Sequence, residues 1–388
     1  MVNPAKPVAA TRILPITCVL VTMVLLVAGL WPFNARPKNQ VTWLSTGNGV
    51  EFGDHGIILS SGLFEATRPG ASSFCSLEIR LQPKRSYINN SATLLVFYAP
   101  ENPLQFRLMQ YQDELLIRND YRDDKQQIKT VEIELEHAFA RDEPLSFVIT
   151  SGPHGSVAYR NGIQAGASTG MGLSCADFTG QLVLGDSPVS DNPWQGKLYD
   201  LAIYGQELKP GEIARGYAAS ETKAVLARPA DDDHMIACYG FAEGSGNVIH
   251  NSARSAPDLN IPAAFRLLHQ PFLTPAWKEF TPDRTYALNV AINIVGFIPF
   301  GFVLCMYLSW QRRWKRAAIL SILAGLAISL TIEVLQGFMP SRSSGTTDLI
   351  TNTFGTALGV ALFSFGSGHR LAAKFRGRFL PDGEALRN

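Results

Sequence analysis

The chain has 388 residues, of which 46% are hydrophobic and 17% are charged. So large an apolar fraction with so few charges is unusual for a purely soluble protein, and the length allows two or three folding units. The formal net charge of +1 leaves no concentrated basic surface, which argues against binding of nucleic acid because phosphate contacts need one.

The first of four apolar stretches covers residues 13–33, and each stretch is close to the roughly 17 to 25 residues that cross a bilayer as a helix. Lys6 and Arg12 precede it without an acidic residue, a pattern that places residues 1–12 in the cytoplasm. A cleaved signal peptide is the alternative, but the stretch is longer than an h-region of about 7 to 15 residues, and no A-x-A site follows. We therefore predict an uncleaved anchor. With either interpretation the next region is exported.

Residues 40–225 contain short alternating runs separated by Gly, Pro, Asn and Asp, a pattern typical of an all-β sandwich. The alternation is clear at residues 74–81 and 145–149. The pair Asn161-Gly162 predicts a tight hairpin because both residues tolerate positive φ angles. Residues 226–285 are mixed and rich in proline, so we expect either an extension of the sandwich or a linker.

Three cysteines lie in the exported region, where one disulfide is allowed and one thiol would remain. They are Cys75, Cys175 and Cys238, and the sequence leaves their pairing open. No metal-ligand spacing appears among them, so we expect neither a metal site nor a cofactor.

The downstream half of the predicted sandwich carries four local patterns in succession. They are a Tyr-x-Asn-Gly hairpin, a Leu-x-Leu-Gly strand, a Gly-x-Leu-x-Asp-Leu-x-Ile-Tyr strand and a Leu-x-x-x-Glu-Ile close. In this order they resemble the laminin-G-like members of the concanavalin A-like lectin/glucanase superfamily, over about residues 45–220. The resemblance implies a jelly roll of two antiparallel sheets, a fold that hosts lectins, adhesion modules and glycosidases.

Glu132, Glu134 and Glu136 alternate with apolar residues, which places three carboxylates on one face of a predicted strand. Glycosidases of this superfamily use a similar Glu-x-Asp-x-Glu strand, in which two glutamates act as nucleophile and acid/base. Here Glu134 stands where those enzymes have aspartate. The three glutamates are candidate catalytic residues, and a solvated strand face is the simpler interpretation.

The remaining apolar stretches predict membrane helices at residues 286–309, 317–338 and 349–366, giving an α-helical bundle of four spans. The loop 310–316 carries four cations and no acid, and the tail 367–388 is also basic. The positive-inside rule therefore places both segments, and both termini, in the cytoplasm. We expect a multi-pass protein of the bacterial inner membrane with its sandwich on the exported side.

Polar side chains are concentrated at the end of these helices that faces the exported side. The candidate binding residues are Asn289, Asn293, Glu333, Gln336, Arg342, Asp348 and Asn352. A carboxylate at the depth of Glu333 is unfavourable unless it is paired or hydrated. Arg342 would either neutralise Glu333 or Asp348 and so staple three helices, or contribute to a polar pocket for an ionic or hydroxylated head group.

Small residues and one proline mark the predicted helix-packing positions, which are Gly296, Pro299, Gly301, Gly355 and Gly359. Proline removes an intrahelical hydrogen bond, so we expect a kink at Pro299. Gly355 and Gly359 form a small-xxx-small surface that allows another helix to approach closely.

Three patterns of this region resemble the VanZ-like family, over about residues 280–366. They are Asn-x-x-Gly-Phe-x-Pro-x-Gly, Glu-x-x-Gln, and an arginine followed by Asp-x-x-x-Asn-x-x-Gly-x-x-x-Gly. The resemblance implies a small bacterial membrane protein, in a family named for a member linked to teicoplanin resistance and without an established catalytic mechanism. This chain departs from the family by carrying a whole sandwich between its first span and the membrane domain at 286–366.

Together these features favour non-catalytic recognition of a cell-wall or surface glycan, or of its lipid-linked precursor, at the bilayer. A link to glycopeptide antibiotic resistance is a further expectation. The alternatives are an envelope enzyme, acting in the sandwich or inside the membrane, and a structural scaffold.

Overall fold

The computed structural model describes residues 8–65, 74–85, 88–190, 192–223, 234–253, 256–311 and 313–365. The chain forms two compact units. One comprises Arg36–Gln270 and is rich in β-strands, and the other combines Met1–Ala35 with Pro271–Asn388 and is helical.

The elements are numbered in chain order. The helices are α1 (Val8–Leu30), α2 (Pro210–Lys223), α3 (Ala276–Glu279), α4 (Arg284–Gln311), α5 (Trp314–Gln336) and α6 (Thr346–Phe365). The strands are β1 (Val41–Trp43), β2 (Val50–Phe52), β3 (Ile58–Ser60), β4 (Ser76–Pro83), β5 (Ile88–Ala99), β6 (Asn102–Gln112), β7 (Glu114–Arg122), β8 (Ile128–Leu135), β9 (Leu145–Gly152), β10 (Gly155–Arg160), β11 (Ile163–Ser168), β12 (Gln181–Leu184), β13 (Gly196–Tyr204), β14 (Met235–Tyr239), β15 (Val248–Ile249) and β16 (Leu259–Asn260).

Two antiparallel sheets form the β unit. The first has the order β1-β2-β13-β4-β9-β10-β11, with β14 also paired to β13, and the second has the order β15-β16-β3-β12-β5-β6-β7-β8. Their apolar side chains form one large core, which includes Phe52, Phe97, Phe106, Phe147 and Trp194. The predicted all-β sandwich is therefore confirmed.

Apolar residues also cover the outer faces of the sheets, so several strands are buried on both sides. Phe265 packs with Leu59 and Val96 on the second sheet. On the first sheet, Ile213 of α2 packs in a cluster with Tyr204. This double coverage explains why β9 is buried along nearly its whole length instead of at alternate residues.

The region after α2, for which an extension or a linker was expected, contributes to both units. Residues 224–233 lie outside the described part of the chain. Beyond them, β14 pairs with β13, and β16 joins β15 to β3, so this stretch continues the sandwich. The segment from Pro271 onward belongs to the helical unit.

The structure also resolves two local questions. Cys75 and Cys175 form a disulfide with a Cα–Cα distance of 5.0 Å, and the Cys238 thiol is buried and free. The predicted hairpin joins β10 to β11, with φ angles of 51° at Asn161 and 77° at Gly162.

Three helices of the described chain are long and apolar enough to cross a membrane, judged by length and composition. They are Ile13–Leu30, Arg284–Trp310 and Trp314–Gln336, with mean hydropathies of 2.6, 2.1 and 2.2. The prediction of four spans was therefore wrong in number. The fourth stretch is helix α6, but the face that it packs against α4 and α5 is polar, with Thr351, Asn352 and Thr356 buried, and these residues lower its hydropathy.

Pro299 lies inside α4, which is assigned as one helix from Arg284 to Gln311. Of the segments used for the topology prediction, residues 1–7, Arg312 and the tail 366–388 lie outside the described residues.

Candidate functional site

The helical unit contains a polar cavity of about 690 Å³. It is lined by the last turns of α1, the segment 271–279, the first half of α4, the end of α5, the following loop and the start of α6. All seven residues predicted as binding residues line it. On each helix the binding residues share one face, because they are three or four positions apart.

Two hydrogen bonds between a pair of side chains connect the helices around the cavity. Asn293 Nδ2 of α4 donates to Asp348 Oδ1 of α6 at 2.7 Å. Asn352 Nδ2 of α6 donates to Ser329 Oγ of α5 at 3.0 Å. These amides therefore position α6 between its two neighbours.

Glu333 is only 1% exposed. Its Oε2 accepts a hydrogen bond of 2.7 Å from the backbone N–H of Gly345, just before α6 begins. A carboxylate is favourable there because a helix N-terminus carries unsatisfied N–H groups and the positive end of the helix dipole. The N–H groups at the start of α6 thus offset part of the free-energy cost of burying the Glu333 carboxylate.

Arg342 contacts the end of α1. One of its terminal nitrogens lies 3.3 Å from the carbonyl oxygen of Ala28 and 3.2 Å from that of Gly29. Gln336 Nε2 donates to the same Gly29 oxygen at 2.8 Å. Because the last carbonyls of a helix lack intrahelical partners, these side chains cap α1, a role that the sequence analysis did not assign.

Glu279 is the main residue of the site that the sequence analysis missed. Its Oε2 accepts a hydrogen bond of 2.9 Å from the backbone N–H of Thr347. The preceding segment pairs with the loop after α5, since the Thr274 N–H donates to Ser344 O at 3.0 Å and the Thr346 N–H donates to Thr274 O at 2.9 Å. A glutamate directly before a predicted span was the available signal, but the proline-rich surroundings indicated a connector.

The described lining therefore carries three carboxylic side chains, Glu279, Glu333 and Asp348, and one guanidinium, Arg342. Amide and hydroxyl groups make up most of the remaining polar surface. Such a lining suits a ligand with hydroxyl or amino donors together with one anionic group.

Two buried oxygens of the lining have no hydrogen-bond partner within the described part of the chain. They are Asn352 Oδ1 and Thr347 Oγ1, on side chains that are 4% and 8% exposed. A buried polar atom without a partner is destabilising. Both atoms therefore have unused capacity for a molecule inside the cavity.

The predicted packing residues divide into two groups. A side chain at Gly355 or Gly359 would overlap the carbonyl oxygen of Ile294 or Ile298, so α4 and α6 touch backbone to backbone there. Gly301 of α4 approaches α6 in the same way, at Thr356. Gly296 and Pro299, in contrast, are exposed, and a methyl group at Gly296 would meet no atom within 4 Å.

The glutamates considered for glycosidase chemistry lie at the edge of the second sheet. Glu132 and Glu134 belong to β8, the last strand, and Glu136 follows it, and all three are exposed. Glu132 forms an ion pair of 2.8 Å with Arg118. This is the arrangement of a solvated strand face. None of the three lines either polar cavity described for this chain.

Both family resemblances are confirmed by comparison with known families. Residues 237–367 match the family model described as VanZ/LLP1. This match begins at residue 237, earlier than the start near residue 280 expected from the sequence patterns. Residues 123–214 match the model of the concanavalin A-like lectin/glucanases superfamily. No curated protein matches the sequence significantly.

Solved structures resemble the chain at low identity. The binding domain of Paraclostridial Mosquitocidal Protein 1 is 11% identical, with a TM-score of 0.37 and half of each chain covered. A putative carbohydrate binding protein from Bacteroides ovatus is 12% identical, with a TM-score of 0.37 over 57% of this chain and 61% of that one. The binding domain of botulinum neurotoxin DC is 12% identical, with a TM-score of 0.35 over 47% and 45%. The chain thus spans about half the length of the first solved structures that it matches, and likeness at this level does not identify a ligand.

Proposed function

We propose that this chain is a bacterial cell-envelope membrane protein that recognises, without catalysis, a cell-wall or surface glycan or its lipid-linked precursor. The observation that carries the proposal is the cavity at one end of the apolar helices, where buried Asn352 and Thr347 keep oxygens without partners among the described residues. A polar cavity beside lipid-facing helices suits a ligand with an apolar tail and a hydroxylated, charged head group.

The proposed sidedness rests on charge. Arg313, in the short turn between α4 and α5, and Lys315 and Arg316, in the first turn of α5, are exposed. The positive-inside rule assigns such a cationic end to the cytoplasm. The opposite ends of α4 and α5, which line the cavity, then face the exported side. The same rule assigns the N-terminus to the cytoplasm, so α1 leads the chain outward and the exported compartment receives the sandwich. A cytoplasmic place for the cationic tail would in addition require α6 to cross the bilayer. Reporter fusions at residue 312, in the sandwich and at each terminus test this arrangement.

Binding is tested with full-length protein in nanodiscs, titrated with a polyprenyl-diphosphate-linked muramoyl disaccharide and, as control ligands, polyprenyl phosphate and phosphatidylglycerol. We expect saturable binding of the first ligand only. The decisive variant is Thr347→Val, which removes the hydroxyl but keeps the side-chain shape. It should weaken binding several-fold while leaving the empty protein at least as stable, because the lost oxygen has no partner there.

Equal affinity for all three lipids would contradict recognition of the glycan head group. A glycopeptide-resistance role adds the expectation that deletion of the gene lowers resistance and that Thr347→Val fails to restore it. If Glu333→Gln instead abolished turnover of the lipid-linked ligand without loss of binding or folded protein, the protein would be an envelope enzyme. If the protein neither bound nor turned over the lipid-linked ligand, the structural scaffold would be the remaining function.

A further inference from the structure

The β-sandwich contains a second polar cavity, of about 410 Å³, unrelated to the one between the helices. Its volume falls within the range of about 300–1,000 Å³ that is usual for small-molecule sites. It is lined by Arg85, two residues after the end of β4, by β5 at residues 88 and 90–92, by Gln110 of β6 and by residues 192–195 before β13.

The floor of this cavity is fixed by hydrogen bonds of one buried amide. Gln110 is 1% exposed, and its Oε1 accepts from the indole Nε1 of Trp194 at 3.2 Å. Its Nε2 donates to the carbonyl oxygens of Arg85 at 2.9 Å and Gln112 at 3.3 Å. One side chain thus ties three lining segments together, so the floor is already ordered before a ligand arrives.

One wall is equally fixed. The Thr93 N–H of β5 donates to Asn192 O at 2.9 Å, and the Trp194 N–H donates to Gly185 O at 2.9 Å. Ordered walls reduce the entropy that a ligand must overcome on binding.

The rim, in contrast, holds polar side chains that the described part of the fold does not use. The side chains of Arg85, Asn90 and Ser91 make no hydrogen bond with any described residue, and Arg85 and Asn90 are exposed. Arg85 is the only charged side chain of the described lining. Trp194 is 2% exposed and presents no ring face, so recognition here depends on hydrogen bonds.

From this arrangement we propose that the sandwich cavity binds an acidic saccharide, with Arg85 holding its carboxylate and the neighbouring amide and hydroxyl groups of Asn90 and Ser91 holding its hydroxyls. A guanidinium binds a carboxylate through two parallel hydrogen bonds, and neutral amides both donate to and accept from hydroxyl groups. The inference rests on the proposed function, to which it adds a second site in the sandwich and the class of sugar bound there.

The test uses full-length protein in nanodiscs and calorimetric titration with digalacturonate, maltose and sodium phosphate. We expect digalacturonate to bind most tightly. Arg85→Gln should weaken the binding of digalacturonate about tenfold or more, because hydrogen bonds to charged groups are the strongest. The same variant should leave the affinity for maltose unchanged. Asn90→Asp, which places a negative charge at the same rim, should weaken digalacturonate further than Asn90→Ala does.

Arg141→Gln is the matched control, since Arg141 is an exposed arginine outside the cavity lining. It should leave all three affinities unchanged. If Arg85→Gln changed digalacturonate binding no more than Arg141→Gln, or if phosphate bound as well as digalacturonate, the assignment of this cavity would be overturned while glycan recognition stood. If digalacturonate, maltose and phosphate all failed to bind while the lipid-linked disaccharide still bound, only the sandwich site would be disproved.

Discussion

Asn293 of α4 and Asp348 of α6 are joined by a hydrogen bond of 2.7 Å at the edge of the helical cavity. Asp348 lies in the first turn of α6. The bond therefore links the start of one helix to the middle of another, close to where Gly355 meets the backbone of α4. It holds the two helices at one relative position along their axes.

Replacing Asn293 tests that role. Asn293→Ala should lower the free energy of unfolding by about 1–3 kcal/mol, because a charged or buried acceptor loses its partner. Thermal unfolding in detergent measures the loss. Asn289→Ala is the control, since Asn289 lies one turn earlier on the same helix, is exposed and lines the same cavity. Equal losses in the two variants would show that the bond contributes nothing to stability.

Glu279 should act as a cap for α6, because it accepts a hydrogen bond from the Thr347 N–H. Removal of a helix N-terminal cap typically lowers stability by about 0.5–2 kcal/mol, so we expect a loss of that size for Glu279→Ala. Glu279→Gln keeps an acceptor oxygen and should lose less. Lys278→Ala, on the same short helix, is the control because Lys278 is exposed. A loss for Lys278→Ala as large as that for Glu279→Ala would contradict the capping role.

The close approach of α4 and α6 predicts opposite results at two glycines. Gly355→Ala places a methyl group against the Ile294 carbonyl, and such overpacking lowers stability by about 1–3 kcal/mol. Gly296→Ala meets open space and should be neutral or stabilising, since alanine favours a helix more than glycine does. Thermal unfolding of both variants in the same detergent provides the measurement. A stable Gly355→Ala variant would mean that the helices are further apart than described.

The cavity in the helices was largely predictable because its residues follow helical spacing. Asn289 with Asn293, Glu333 with Gln336, and Asp348 with Asn352 are each three or four positions apart, so each pair was bound to share a face. Thr274 and Glu279 were not predictable in this way. Thr274 pairs through its backbone with the segment around the start of α6, and the Glu279 carboxylate reaches the Thr347 N–H; neither contact leaves a periodic signal in the sequence.

The sandwich shows a similar division. Local alternation and Asn161-Gly162 were sufficient to predict strands and a hairpin. The choice between three possible cysteine pairs, in contrast, depends on the fold, which brings the Cα atoms of one pair to 5.0 Å. The burial of both faces of the sheets depends on segments distant in sequence, such as the one that contains Phe265. Helix α6 was counted as a span from its apolar residues, but the polar residues of its buried face lower its hydropathy, and only the structure shows that this face packs against other helices.

The disulfide should contribute strongly to the stability of the sandwich. Cys75 and Cys175 are separated by 100 positions in sequence, and closing a loop of this length restricts the unfolded chain by up to about 4.7 kcal/mol. We expect Cys75→Ser with Cys175→Ser to lower stability by about 2–5 kcal/mol. Cys238→Ser is the control, because that buried thiol is outside the disulfide. Denaturant unfolding with and without reductant gives the values, and reductant should have no effect on the double variant.

The pair of His137 and Asp113 gives a prediction for pH. The Nδ1 of His137 lies 2.6 Å from Asp113 Oδ2. Hydrogen bonding to the carboxylate raises the pKa of His137 above its ordinary value of 6.5, and the same bond lowers the pKa of Asp113 below 3.8. The stabilisation from the histidine is lost as pH rises through its raised pKa, and that from the aspartate is lost as pH falls through its lowered pKa. The interaction is therefore strongest between these two values.

NMR titration of the His137 ring checks this directly. Its midpoint should lie above 6.5 in the natural chain and move down in Asp113→Asn, which keeps the side-chain shape but removes the charge. Because His137 is exposed, salt should reduce the shift. Asp142→Asn is the control, since that carboxylate is not among the groups that raise the pKa of His137. A His137 midpoint that is equal in the natural chain and in Asp113→Asn would mean that the pair is not formed in solution.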